Sequence, residues 1–85
     1  MDATPVKRQR LYNLITETLG ADNEMTAREI ASDLYTKHEV PYPTRGMVQP
    51  RCTELVKLGR IKVCGSKIDE VTRKHVSIYR AVKDA

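Results

Sequence analysis

Apolar residues recur at helical spacing through the first two thirds of the chain and at strand spacing near its end. Leu11, Leu14, Ile15 and Leu19 stand at offsets of three, four and eight, one stripe of an amphipathic helix. Thr4 and Pro5 precede them as an N-cap hydroxyl and a first-turn proline, where no amide hydrogen is needed. Gly20 follows as a residue free to take the left-handed conformation that ends helices. The pattern predicts a first helix over about 5–19. After a polar loop, Thr26-Ala27-Arg28-Glu29 reads as a capping box, with Met25 and Ile30 placed as a hydrophobic staple. Ile30, Ala31 and Leu34 predict the buried stripe of a second helix over about 27–38, with Tyr35 and His38 at its edge.

Two prolines exclude helix from Val40-Pro41-Tyr42-Pro43, which reads as a stiff connector. Thr44 then offers a cap for a third helix over about 46–58, with Val48, Cys52, Leu55 and Val56 inward and Leu58-Gly59 as its end. Pro50 is tolerated only in a first turn, so this helix either begins near Gly46 or is kinked. Beyond Gly59 the period becomes two. Ile61 and Val63 alternate with Arg60, Lys62 and Cys64, and Val76 and Ile78 alternate with Ser77, Tyr79 and Ala81. Two strands, about 60–64 and 75–82, are thus expected, joined by a basic connection over 65–75 that Gly65-Ser66 opens as a turn.

Composition narrows the setting. With 85 residues and neither Phe nor Trp, the chain makes one domain with a modest core, and a deep substrate cavity is not expected. No apolar run approaches the roughly 20 residues of a membrane span. Met1 to Pro5 lack the apolar stretch of a signal peptide, and two cysteines are too few for a disulfide scaffold, so reduced thiols and a cytoplasmic location are expected. Residues 1–44 carry five Lys/Arg against seven Asp/Glu, a net −2; residues 45–85 carry ten against four, a net +6. A polyanion is the natural partner of the second half.

Catalysis finds little to work with. There is no glycine-rich phosphate loop, no His-Glu-x-x-His and no interpretable Ser/His/Asp set, so neither an enzyme nor a cofactor is expected. His38, His75, Cys52 and Cys64 match no metal-ligand spacing, and Cys52 falls on an apolar stripe as a structural thiol. No metal is expected. Tyr12, Tyr35, Tyr42 and Tyr79 are too scattered for a stacking platform.

Three helices followed by a hairpin with a basic connection form a restrictive order. The run Thr26–Val82 resembles a winged helix-turn-helix domain: its second helix opens at Thr26-Ala27-Arg28-Glu29, Leu55-x-x-Leu58-Gly59-x-Ile61 is similar to the helix-to-wing junction, and Val76-Ser77-Ile78-Tyr79-Arg80 closes the wing. Pro50-Arg51 with a Lys/Arg-rich wing resembles small phage and prophage-encoded members. The resemblance implies an α+β fold, a three-helix core with a C-terminal β-hairpin wing, binding double-stranded DNA in transcriptional control or in phage replication or recombination. It implies base reading by Arg45, Gln49, Arg51 and Thr53 on the third helix, where Arg matches guanine and Gln adenine. It implies phosphate contacts from Thr26, Arg28, Thr44, Lys57, Lys67, Arg73 and Lys74. Two departures stand out. The connector 39–44 exceeds a tight helix-turn-helix turn. Asp69-Glu70 also stand near the expected wing tip, where carboxylates repel phosphate. The rival reading is a winged-helix adaptor binding a protein partner, and a homodimer on paired half-sites suits so small a reader.

Overall fold

Thr26 sets the frame of the molecule. The computed structural model describes residues 8–20, 22–40 and 45–82, with Arg45 described by its backbone alone. In it Thr26 has the extended backbone of an N-cap, φ −80° and ψ 167°. Its hydroxyl accepts the Glu29 amide at 3.2 Å, and the Glu29 carboxylate accepts the Thr26 amide at 2.8 Å. The capping box therefore forms with both bonds. The same extended backbone lets Met25–Thr26 pair as a short strand, β1, with Tyr79 and Ile78. Two residues are too few to show a period of two, so sequence patterning gave no sign of this strand.

The described elements are α1 (Arg8–Leu19), β1 (Met25–Thr26), α2 (Ala27–Thr36), α3 (Arg45–Lys57), β2 (Ile61–Ile68) and β3 (His75–Ala81). The fold is α+β: three helices and a three-stranded antiparallel sheet in the order β1-β3-β2. The Thr4-Pro5 cap, residues 5–7 of the expected first helix and the connector 41–44 lie outside the described residues. The core gathers Leu11, Leu14, Ile15 and Leu19 from α1, Ala27, Ile30, Ala31 and Leu34 from α2, Val48, Cys52 and Leu55 from α3, and Ile61 and Tyr79 from the sheet. Among the described residues no helix is long and apolar enough to cross a membrane.

Helix ends follow local chemistry. Gly59, at φ +76°, closes α3 with the Arg60 amide donating to the Leu55 carbonyl at 3.0 Å. The second helix stops at Thr36, not His38, because His38 takes the same left-handed role at φ +62° while the Glu39 amide returns to Leu34 at 2.9 Å. Histidine is among the few side chains that tolerate this region, and a reading that looks for glycine passes over it. Pro50 is the sixth residue of α3, yet the helix runs unbroken through it. Pro50 is exposed, so the carbonyl it cannot serve, that of exposed Gly46, lies on the solvent side.

The hairpin differs most from expectation. Val63 pairs with Tyr79 and Gly65 with Ile78, leaving Cys64 as the extra residue of a β-bulge. The bulge shifts the alternation by one, so Ser66 and Ile68 take the face that Ile61 and Val63 began. Gly65-Ser66 therefore lies inside β2, and the connection shortens from 65–75 to Asp69–Lys74. Leu55, fully buried, should destabilise the fold by about 2–5 kcal/mol when replaced by Ala. Thr53→Ala, on the exposed side of the same helix, should stay within about 0.5 kcal/mol. Urea unfolding of both variants checks the contrast, and equal losses would misplace the core face of α3.

Candidate nucleic-acid interface

Helical spacing gives α3 two opposite faces. Val48, Cys52 and Leu55 are buried, and Gly46, Pro50, Thr53 and Lys57 form the exposed stripe. Between them, one flank turns to the sheet and the other to α1. On the sheet flank, Gln49 Nε2 donates to the Tyr79 hydroxyl at 2.8 Å. On the α1 flank, Glu54 accepts the Tyr12 hydroxyl at 2.7 Å and Arg51 Nη2 at 3.1 Å. Arg51 Nε lies 3.0 Å from the same carboxylate but off line, so this buried nitrogen has no hydrogen bond. The Tyr12 bond, helped by Arg51 and Arg8, holds the Glu54 carboxyl below its ordinary range.

The residues expected to read bases therefore separate. Thr53 is exposed, its hydroxyl turned back to the Gln49 carbonyl at 3.2 Å. Gln49 and Arg51 are engaged within the protein, and Arg45 opens α3 with its side chain outside the description. The expected phosphate contacts divide in the same way. Thr26 is buried as the cap, and Thr44 lies outside the described residues. Arg28 Nε donates to Asp69 at 2.8 Å, and Lys67 pairs with Glu29. Lys57, Arg73 and Lys74 are exposed and carry no ion pair among the described residues.

Asp69 corrects the picture of a repulsive tip. It is 6% exposed and organises the loop instead of crowning it. Its Oδ2 accepts both the Thr72 amide and the Thr72 hydroxyl at 3.0 Å, while Oδ1 takes Arg28. The Arg73 amide donates to the Asp69 carbonyl at 2.8 Å and the Asp69 amide to Lys74 at 2.9 Å, closing a six-residue loop with Arg73 at φ +61°. Glu70 stays exposed and has no ion pair among the described residues, so one acid, not two, faces solvent there.

The ion-pair pattern sorts the cations by region. Arg8, Arg10, Arg28, Lys37, Arg51, Lys67 and Arg80 each have a carboxylate within 4.0 Å. Lys57, Arg60, Lys62, Arg73 and Lys74 have none among the described residues, and all five are exposed. They fall in two groups, one at the α3–β2 corner and one in the hairpin loop. The eight residues of β2 separate these groups by roughly 20 Å. Arg60 and Lys62 were not among the expected site residues, although their alternation with Ile61 already turned them outward. Among the described residues no three His, Cys, Asp or Glu side chains converge to hold a metal ion.

The Thr72 amide, then Arg28 and the Thr72 hydroxyl, hold the Asp69 carboxyl below its ordinary value of 3.8 against the opposing effect of desolvation. A carboxyl lowered by folding stabilises above that value and loses its contribution as the pH falls through the folded pKa. Wild type should therefore melt above Asp69→Asn near neutrality, with the gap shrinking below about pH 4; a gap independent of pH would exclude the role. Burial pushes the Cys52 thiol up to about 12, while Cys64 is exposed. Iodoacetamide at about pH 8 should add once to the native protein, at Cys64, and twice after unfolding, as intact mass will read. No family model, curated protein or solved structure matches this chain.

Proposed function

We propose that this protein is a winged-helix binder of duplex DNA, a transcriptional regulator or a phage DNA-transaction factor. The hairpin serves as the wing, and α3 lies against the groove. The reading rests on one observation: every described cation without a carboxylate partner lies between Lys57 and Lys74. The described cations of α1 and α2 are paired. A surface of fixed, unneutralised positive charge on a helix end and a hairpin suits a polyanion. The element order and the β1-β3-β2 sheet also support the winged-helix reading.

In this reading phosphate contact carries most of the affinity. Lys57, Arg60 and Lys62 grip one stretch of backbone, and Arg73 and Lys74 another. The exposed stripe of α3 has no bulky side chain besides Lys57, so its backbone can approach a groove closely. Thr53 and Arg45 are the candidates for base edges. Gln49 joins them only by giving up the Tyr79 hydroxyl, and Arg51 only by leaving Glu54. A second reading, the protein–protein adaptor, draws on Val63, Ile68 and Val71, which are at least half exposed on the hairpin.

Fluorescence anisotropy with a labelled duplex at a series of salt concentrations separates the two. Five phosphate contacts give a log–log salt slope of about −4.5, an affinity loss of about 500-fold between 50 and 200 mM salt. Lys62→Ala and Arg73→Ala should each reduce that slope by about 0.9. Thr53→Ala should change the preference among sequences and leave the slope alone. A folded protein that binds no duplex at low salt overturns the proposal and favours the adaptor.

A further inference from the structure

The end of the hairpin meets the N-terminus of α2 across a cleft of about 240 Å³, lined in part by Thr26, Arg28, Glu29, Lys67 and Asp69. Two ion pairs cross it, and they differ in kind. The Asp69 side chain, 5% exposed, holds Arg28 and also the Thr72 turn, so separating that pair would leave a buried charge alone. The Lys67 and Glu29 side chains are 48% and 41% exposed. Water reaches both, and such a pair contributes little to stability. The first pair is structural. The second can be exchanged.

Glu29 does not need its charge to start the helix. Its Oε1 accepts the Thr26 amide, a bond that the amide oxygen of glutamine makes equally well at this position of a capping box. Oε2 is the oxygen that meets Lys67. Lys67 lies opposite Val76 and Lys62 opposite Arg80, which puts both lysines on one face of β2. That face would present a line of positive charge from the α3–β2 corner toward the loop, but Glu29 neutralises it at Lys67.

We propose that Glu29 masks a backbone-phosphate site at Lys67, so that this hairpin cation takes no part in gripping a duplex. This inference rests on the duplex-binding reading above. A neutral pair meeting DNA releases no counterion on balance, so Lys67 is silent while Glu29 holds it. Removing the carboxylate's charge frees the ammonium for a phosphate oxygen.

The test is the binding of a duplex of about 20 base pairs by wild type, Glu29→Gln, Lys67→Ala and the double variant over a salt series. Glu29→Gln should steepen the salt slope by about 0.9, so that its advantage over wild type is about 3.5-fold greater at 50 mM than at 200 mM salt. Lys67→Ala should leave the wild-type slope unchanged and remove the added 0.9 from the Glu29→Gln background. Equal slopes for wild type and Glu29→Gln, or an equal effect of Lys67→Ala in both backgrounds, overturn the masking and leave duplex binding standing. Absence of binding by all four overturns both readings. Circular dichroism of the four checks their folding, and a Glu29→Gln variant that fails to fold shows that the charge serves the helix and overturns the inference.

Discussion

One buried threonine joins the two halves of this molecule. Thr26 uses its backbone to add β1 to the sheet and its side chain to start α2, and only an extended N-cap residue can do both. The register that pairs Thr26 with Ile78 runs the outer part of β3 past the first turn of α2. Arg28 and Glu29 therefore stand beside β2 and its loop, within reach of Asp69 and Lys67. A shift of the strand by one residue would turn the side chains of β1 to the opposite face and carry the first turn of α2 away from its present place beside β2. The geometry of the cap thus decides which charges meet.

Those meetings shape the surface. The formal +6 of residues 45–85 is reduced where carboxylates of the first half reach it, at Lys67 by Glu29 and at Arg80 by Glu24, while Glu54, already counted in that sum, holds Arg51. Glu29 and Glu24 are brought to their cations only by the fold, whereas Glu54 is three residues from Arg51, and the bonds of the three acids differ in strength. The Glu54 group is tied by a tyrosine hydroxyl and a guanidinium across two helices, while Glu24 reaches Arg80 at 3.5 Å over an exposed edge. What is left positive is narrower than the sequence total suggests. Among the described residues it is confined to a helix end, a strand start and a loop.

Much of the fold was legible because it depends on neighbours in sequence. The stripes of α1, α2 and α3, the Thr26–Glu29 box and the glycine ends at Gly20 and Gly59 are all set within a turn or two of helix. The bulge at Cys64 was not legible, since an inserted residue leaves each side of it looking like ordinary alternation while the two sides disagree. The His38 end was hidden by its residue type. The candidate site was legible in charge but not in pairing. Lys67 and Glu29 are 38 residues apart and Arg28 and Asp69 are 41 apart, so only the fold shows that these cations are held and that Asp69 turns inward.

The same geometry bears on how selective the proposed duplex contact can be. Direct readout needs long donors and acceptors on the exposed stripe of the inserted helix. In α3 the two best candidates, Gln49 and Arg51, lie on the flanks, where each helps fix the helix to a neighbour: Gln49 to β3 and Arg51 to the Glu54 cluster that reaches α1. The stripe between them is nearly bare of long side chains before Lys57. Moving either flank residue to a base would loosen the helix that must present it. Selectivity on this scaffold therefore falls to Thr53, to Arg45 and to the fit of two basic groups roughly 20 Å apart on the backbone, which is a reading of duplex shape more than of base edges.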